Sequence, residues 1–320
     1  MMLRRFVQLL CSTLLGTLST VVMAATYPLA SSDTVLGDVQ YVAATHEDTF
    51  LDIGRRYGVG YEEMVAANPG VDPWLPGAGQ QVLIPSRYIL PNAPREGIVV
   101  SLAEHRLYYF PHAKPGETPV VVTYPISVGK MDWKTPLGLT RVVDKRVRPV
   151  WYPPESVRKE HAADGRPLPK AVPAGPDNPL GEYAMRLGIP GGAYLIHGTN
   201  RPAGVGMQVT HGCIRMYPED IEQFFKMVPV NTQVRIIHQP YKMGWQGEQL
   251  FMEVHAPLEG QEQNDFNSLT NITRMLVAAT QDRTVAIDWA KAEAAFRRPN
   301  GVPEPVVLSA ITSQALDSAR

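Results

Sequence analysis

The residues with the clearest chemical potential lie in one stretch, residues 194–216, with the sequence YLIHGTNRPAGVGMQVTHGCIRM. It contains one cysteine, Cys213, together with two histidines, His197 and His211, and an arginine, Arg215. A cysteine becomes a nucleophile when a neighbouring base removes its proton, and histidine is a common base. The apolar residues before His197 and shortly before Cys213 predict short strands, which would place each reactive residue near a strand end.

The residues after Cys213 predict a helix. Pro218, Glu219 and Asp220 suit a first helical turn, where proline fits and the helix dipole favours acids. Apolar residues then recur with helical spacing at Ile221, Phe224, Phe225 and Val228. Cys213 is therefore expected in a tight turn before a helix, where the backbone N–H groups around Gly212 can converge on an oxyanion.

Two other interpretations of these residues are open on chemical grounds. A single cysteine in an apolar stretch often serves as a small buried hydrophobic residue. His197, His211 and Cys213 could also bind zinc, but a structural zinc site needs four ligands and the sequence nearby offers no obvious fourth.

The pattern IHGT, a gap and then THGCIRM resembles the signature of the L,D-transpeptidases, bacterial cell-wall enzymes with a cysteine nucleophile. His197 precedes Cys213 by sixteen positions, a spacing within the range of that family. The similarity extends over residues 97–238 and includes the segments GIVVSLAEHRLYYF, KTPLG and VPAGPDNPLGEYAMRL. The whole chain resembles the periplasmic members that carry a small sugar-binding module before the catalytic domain.

The resemblance implies a role for each residue of the site. Cys213 would be the nucleophile and His197 its base, oriented by the carbonyl of Gly198, while His211 and Gly212 would shape the turn or contact the oxyanion. Substrate contacts are implied for four further residues, Arg215, Thr210, Tyr183 and Trp151, although Tyr183 could equally belong to the core. The reaction implied needs no metal and no organic cofactor.

The catalytic region is predicted to be mainly β with some α. Short runs such as Ile98–Ser101, Arg106–Phe110 and Val120–Thr123 alternate with turn residues, which indicates a β-sandwich or barrel. Residues 144–181 contain many prolines and few apolar runs, so we expect a long loop without structure of its own. Trp151 and Tyr152 favour an ordered lid that flanks the site.

Residues 1–25 have the pattern of a secretory signal. Arg4 and Arg5 precede an uncharged apolar stretch that ends in small residues. A membrane anchor is the alternative, but the apolar core is short and contains polar residues. Cleavage would leave Cys213 as the sole cysteine, so no disulfide could form within the chain. We therefore expect a periplasmic protein with no stable membrane span after cleavage.

Residues 38–86 are predicted to fold as strand, helix, helix and strand. Thr49 and Asp52 have the spacing of a capping box at the start of the first helix. The order of elements and the segment NPGVD resemble LysM modules, which bind glycans containing N-acetylglucosamine; a structural spacer is the alternative. Residues 87–96 are expected to be a short stiff linker.

Residues 239–320 are expected to pack on the catalytic domain. The spacing of apolar residues predicts one strand at 249–255 and two helices, around Leu276 and Ala292. The tail from Arg297 is expected to be mobile. The formal net charge of −1 gives no support for a nucleic-acid partner.

Three functions of different classes are open at this stage. The first is a transferase that joins a peptidoglycan stem peptide to an amine of another stem or of an outer-membrane lipoprotein. The second is a hydrolase that acts on the same bonds with water. The third is a wall-binding protein without catalysis, which the presence of both His197 and Cys213 disfavours.

Overall fold

The computed structural model describes residues 25–29, 34–130, 133–191, 194–260 and 268–308. The predicted signal segment lies outside these residues, except that Ala25 begins the first strand, β1 (Ala25–Pro28). Within the described ranges, no helix has the length and apolar character needed to cross a membrane.

The N-terminal module consists of β3 (Gln40–Ala43), α1 (Phe50–Tyr57), α2 (Tyr61–Ala67) and β4 (Gln81–Ile84). The predicted capping box is present, because the Thr49 hydroxyl accepts from the Asp52 backbone and the Asp52 carboxylate accepts from the Thr49 backbone. Gly58 ends α1 in the left-handed conformation that glycine adopts without strain. The predicted order of strand, two helices and strand is therefore the observed one.

The prediction of a linker at residues 87–96 is wrong for its first half. Residues Arg87–Ile89 form β5, which pairs with β2 (Val35–Gly37) in an antiparallel ribbon. Tyr88, Ile89 and Leu90 are buried. The proline spacing suggested an exposed spacer, but these apolar side chains pack where the module, the catalytic domain and the C-terminal region meet.

The catalytic region is built on a nine-stranded sheet in the order β1-β8-β7-β6-β15-β10-β11-β12-β14. Its strands after β1 are β6 (Gly97–Ser101), β7 (Arg106–Phe110), β8 (Val120–Pro125), β10 (Gly138–Val147), β11 (Tyr183–Leu187), β12 (Leu195–His197), β14 (Ile214–Arg215) and β15 (Gln233–Ile237). The short strands β9 (Val128–Gly129) and β13 (Gln208–Thr210) pair beside it. The expected mainly β fold is confirmed.

Two helices flank the strands that carry the candidate site. Helix α4 (Pro218–Met227) follows the cysteine as predicted, and its residues Ile221 and Phe224 are buried in the main core. The second helix, α3 (Glu155–Ala163), lies within residues 144–181. The expectation that this segment lacks structure of its own is therefore wrong. Pro153 and Pro154 precede the helix, where proline is compatible with a helical start.

The C-terminal region has its own apolar core. Strands β16 (Tyr241–Gln246), β17 (Gln249–Val254) and β18 (Glu304–Pro305) form a sheet that packs against α5 (Leu269–Thr280) and α6 (Trp289–Arg297). The prediction of a mobile tail from Arg297 is wrong as far as residue 308, because β18 pairs with β17 and Val306 and Val307 are buried.

Candidate active site

Two adjacent parallel strands bring the predicted nucleophile and base together. In the register of β12 and β14, His197 lies beside Arg215 and Ile196 beside Ile214. Cys213 directly precedes β14, and the backbone of Leu195 in β12 forms a hydrogen bond with its thiol. The thiol therefore lies beside the strand that carries His197.

His197 is held in a defined orientation and tautomer. Its ring is buried, and Nδ1 donates to the carbonyl oxygen of Gly198 at 2.6 Å. Because a carbonyl oxygen only accepts, the proton of the neutral ring is on Nδ1 and the lone pair is on Nε2. A Cβ on Gly198 would lie 2.9 Å from Cγ2 of Ile221, so a side chain at this position would require Ile221 to shift.

The environment keeps both groups neutral. Burial lowers the pKa of His197 to about 3, and the positive charge of Arg215 acts in the same direction. Burial raises the pKa of the Cys213 thiol, although the Leu195 hydrogen bond and Arg215 oppose this shift. The resting pair at neutral pH is therefore a thiol and an imidazole, and the proton must move when the sulfur attacks.

Two threonine hydroxyls fix the turn that carries Cys213. Thr210 Oγ1 donates to the carbonyl oxygen of Cys213 at 2.6 Å, and Thr135 Oγ1 donates to that of Gly212 at 3.1 Å. Gly212 has a φ of +92°, which favours glycine. Thr210 was expected to contact substrate, but its buried hydroxyl holds the turn. Thr135 was not predicted as a site residue, although it belongs to the KTPLG segment that carried the resemblance.

His211 connects the catalytic turn to α3. Its Nε2 donates to Glu160 at 2.8 Å, and its ring packs on Trp133 with centroids 5.2 Å apart. The other carboxylate oxygen of Glu160 accepts from Lys130 Nζ at 2.8 Å. Hydrogen bonds from Lys130 and His211 lower the pKa of Glu160 to about 2. No sequence pattern indicated Glu160, because it lies 51 residues from His211.

Arg215 is positioned by both its backbone and its side chain. Its backbone exchanges two hydrogen bonds with Ser127, at 2.8 and 3.2 Å. Its guanidinium packs over Gly204, where a Cβ would lie 3.2 Å from Nη1. Its buried Nε has no hydrogen-bond partner within the described part of the chain. The side chain therefore brings a positive charge and an unused donor close to Cys213.

Of the two predicted aromatic contacts, Tyr183 is in the strand next to β12, where its carbonyl accepts from Gly198 N at 3.1 Å, and Trp151 is in the segment with α3. Tyr183 begins β11, and its ring packs on Phe225 with centroids 5.0 Å apart, beside the main core. This placement agrees with the alternative that Tyr183 is a core residue. The backbone of Trp151 exchanges hydrogen bonds of 2.9 and 2.8 Å with Val172. These two hydrogen bonds join the chain before α3 to the chain after it.

The zinc alternative is not supported by the arrangement of His197, His211 and Cys213. In the described ranges, the one group of ligand atoms close enough to share an ion belongs to Glu104, Glu253 and His255. The ammonium of Lys242 lies 2.8 Å from both glutamates of that group, so a cation is already supplied by the chain.

Comparisons with known proteins agree with this geometry. The family described as the L,D-transpeptidase catalytic domain (YkuD) matches residues 95–236. The probable L,D-transpeptidase YcfS of Escherichia coli is 43% identical over 248 residues, which cover 76% of each chain. The probable L,D-transpeptidase ErfK/SrfK of the same species is 38% identical over 93% of this chain and 96% of its own length. The chain therefore belongs to the L,D-transpeptidase family.

Proposed function

We propose that this L,D-transpeptidase acts on peptidoglycan stem peptides in the bacterial periplasm, with Cys213 as nucleophile and His197 as base. The observation that carries the proposal is the pairing of β12, which ends at His197, with β14, which begins directly after Cys213. The hydrogen bond from Nδ1 to Gly198 supports it further, because it leaves Nε2 as the acceptor for the thiol proton. The substrate class comes from the family resemblance.

The first half of the reaction forms a thioester. The Cys213 thiol passes its proton to His197 Nε2 as sulfur attacks the carbonyl carbon of the third stem residue, a diamino acid joined to D-alanine. The carbonyl oxygen becomes an oxyanion. His197 then donates the proton to the leaving amine, the C–N bond breaks, and D-alanine departs.

The second half transfers the acyl group. An acceptor amine attacks the thioester carbon and gives its proton to His197, and the C–S bond breaks. The Cys213 thiolate recovers the proton, so the enzyme returns to its neutral resting pair. The acceptor amine belongs to another stem peptide or to a lysine of an outer-membrane lipoprotein.

The turn around Gly212 and the side chain of Arg215 supply the charge stabilisation in this proposal. Backbone N–H groups of Gly212 and Cys213 are the proposed donors to the oxyanion, and one such donor contributes about 3 kcal/mol to catalysis in other enzymes. The unused Nε of Arg215 is the proposed donor to a substrate carboxylate.

The segment with α3 favours transfer over hydrolysis. Glu160 ties α3 to His211, two residues before Cys213, so the helix lies against the turn that would carry the thioester. Exclusion of water from that turn would slow attack by water and leave time for an amine to bind.

The test is to incubate purified peptidoglycan with the enzyme, with and without an added amine acceptor, and to identify the products by mass spectrometry. We expect D-alanine release that rises with acceptor concentration and yields an amide. Cys213→Ala should give no product while remaining folded, and full activity of this variant would refute the role of the thiol. A free tripeptide as the main product with saturating acceptor would favour a hydrolase.

For the N-terminal module we propose glycan binding. Trp74 and Leu75 are exposed by 59% and 64%, and the carboxylate of Asp72 accepts from both of their backbone N–H groups, at 2.8 and 3.2 Å. An ordered exposed indole suits stacking on a sugar ring. In sedimentation with insoluble peptidoglycan, Trp74→Ala should leave more protein in the supernatant than the exposed control Glu47→Ala. Equal sedimentation would support a spacer.

A further inference from the structure

The first turn of α2 in the N-terminal module binds the backbone of the catalytic domain. Tyr61 N donates to the carbonyl of Val205 at 3.4 Å, and Glu62 N donates to that of Gly206 at 3.2 Å. The Glu62 carboxylate accepts from Gln208 N at 3.3 Å. The first N–H groups of a helix have no partner within the helix, so this contact satisfies two of them.

Two glycines make the contact closer than side chains would allow. A Cβ on Gly206 would lie 2.3 Å from Gly60 Cα, and a Cβ on Gly60 would lie 2.7 Å from Gly206 Cα. The atoms in conflict belong to the backbone, which cannot move aside as a flexible side chain could. The distance between the module and this segment is therefore fixed by direct backbone packing.

The bound segment leads directly into the catalytic turn. Residues Gln208–Thr210 form β13, and the Thr210 hydroxyl donates to the carbonyl of Cys213 at 2.6 Å. A displacement of residues 205–208 therefore acts on the position of Cys213 through one short strand and one hydrogen bond.

Side-chain contacts hold the module on both sides of this turn. Glu62 lies 3.1 Å from His105 Nδ1, beside the segment that precedes the turn. Arg55 binds both oxygens of Glu219 at 2.7 and 2.8 Å, and Glu219 is in the first turn of α4, which follows the turn. The module thus contacts the chain just before and just after the site.

We propose that the N-terminal module is a positioning element for Cys213, in addition to any binding of glycan. The contact of Gly60–Glu62 with Val205–Gln208 holds β13, and β13 holds the catalytic turn. This inference rests on the proposed role of Cys213 as nucleophile. It requires that a change confined to the module surface should alter turnover of a small soluble donor that carries no glycan.

Gly60→Ala is the sharpest test, because Gly60 has a φ of −77° that alanine adopts without strain. The largest conflict of the added Cβ is with the Gly206 backbone at 2.7 Å, and Glu63 Oε2 at 3.0 Å is the next nearest atom. With a soluble tetrapeptide donor and an amine acceptor, we expect kcat to fall at least about tenfold, with a smaller change in KM. Gly70→Ala is the matched control, since Gly70 has a φ of +86° and open space around its Cβ. It strains the module without touching the catalytic domain and should keep kcat within twofold of wild type.

Several outcomes of this experiment would contradict the inference. A kcat for Gly60→Ala within twofold of the wild type would overturn the inference, as would equal losses in Gly60→Ala and Gly70→Ala. Should Gly60→Ala fail to fold, Glu62→Ala provides the second variant, since it removes the bonds to Gln208 and His105; an unchanged kcat there would equally overturn it. A wild type that releases no D-alanine from the donor would overturn the proposed role of Cys213 and this inference with it. A wild type that releases D-alanine but forms only the free acid would favour a hydrolase and leave the comparison of kcat values valid.

Discussion

The buried ion pair between Glu63 and Arg106 gives a quantitative prediction about how the module is attached. Arg106 is fully buried in β7, and Glu63 belongs to α2. Arg106 Nε and Nη2 contact the carboxylate at 2.9, 2.8 and 2.9 Å, and the guanidinium lies 4.2 Å from the ring centre of Tyr88. Burial acts to lower the pKa of Arg106, but the charge of Glu63 helps to raise it overall, so the guanidinium remains charged.

Glu63→Ala should therefore leave a buried charge without its counter-ion. Removal of one partner of a buried pair costs about 3–5 kcal/mol, so we expect the free energy of unfolding to fall by that amount. The Gly58 carbonyl and the Thr123 hydroxyl remain as weaker acceptors, at 3.2 and 3.4 Å, and keep the loss from being larger. The variant also loses the bond from Gly60 N to the carboxylate, 2.7 Å long.

Urea unfolding followed by tryptophan fluorescence measures this loss. The exposed Glu47→Ala is the control and should change the free energy of unfolding by less than about 0.5 kcal/mol. The double variant Glu63→Leu with Arg106→Met should regain much of the lost stability, because apolar side chains need no counter-ion. If Glu63→Ala lowers the free energy of unfolding by less than about 1 kcal/mol, and the dependence of that free energy on urea concentration is unchanged, the argument that this pair fixes the module is refuted.

Three further predictions follow from the perturbed groups. The rate of alkylation of Cys213 by iodoacetamide should still increase through pH 9 and show no step near pH 6.5, because the pKa of the thiol is raised and that of His197 is lowered. An alkylation rate that stays constant from pH 5 upward would instead indicate that thiolate and imidazolium form a resting ion pair. Burial raises the pKa of Asp220 to about 7, so its protonated form favours folding at low pH and this stability is lost as the pH rises towards 7. The stability of Asp220→Asn relative to wild type, measured by urea unfolding, should therefore increase by about 2–3 kcal/mol between pH 5 and pH 8, and a constant difference would contradict the shift. Glu160→Gln should weaken the hydrogen bond to His211 and lower the ratio of amide to acid products. An unchanged ratio would show that α3 does not exclude water from the thioester.

Local patterns predicted the elements around the site well. The capping box of Thr49 and the apolar spacing of Ile221 and Phe224 depend on residues within one or two helical turns, and both helices are present where expected. The motif likewise placed His197 and Cys213 near strand ends. Such features are determined by neighbours in sequence, so a single sequence contains the information they need.

The wrong predictions concern one local helix and two segments buried by distant residues. The prolines of residues 144–181 favoured a loop, yet proline at a helix start is compatible with α3. The prolines of residues 87–96 likewise favoured an exposed linker. Tyr88 and Val307 are nonetheless buried, each against elements far away in sequence. Burial by a distant partner leaves no local pattern.

The position of β15 determines when the main sheet can form. This last strand of the catalytic domain lies at the centre of the sheet, parallel to β6 and antiparallel to β10, and Val234 pairs with Ile98. A chain that ends before Gln233 lacks the strand that joins the two halves of the sheet. Until β15 is present, the edge of β6 has no partner, and contacts of such long sequence separation form slowly.

Folding of the catalytic domain must therefore wait until Ile237, the last residue of β15, has been added to the chain. This delay suits a polypeptide that crosses a membrane before it folds, which is what a secretory signal at residues 1–25, a prediction from the sequence, would require. A fragment of residues 25–232 should remain sensitive to protease, whereas one of residues 25–308 should resist it. Resistance of the shorter fragment would show that the halves of the sheet fold without their central strand.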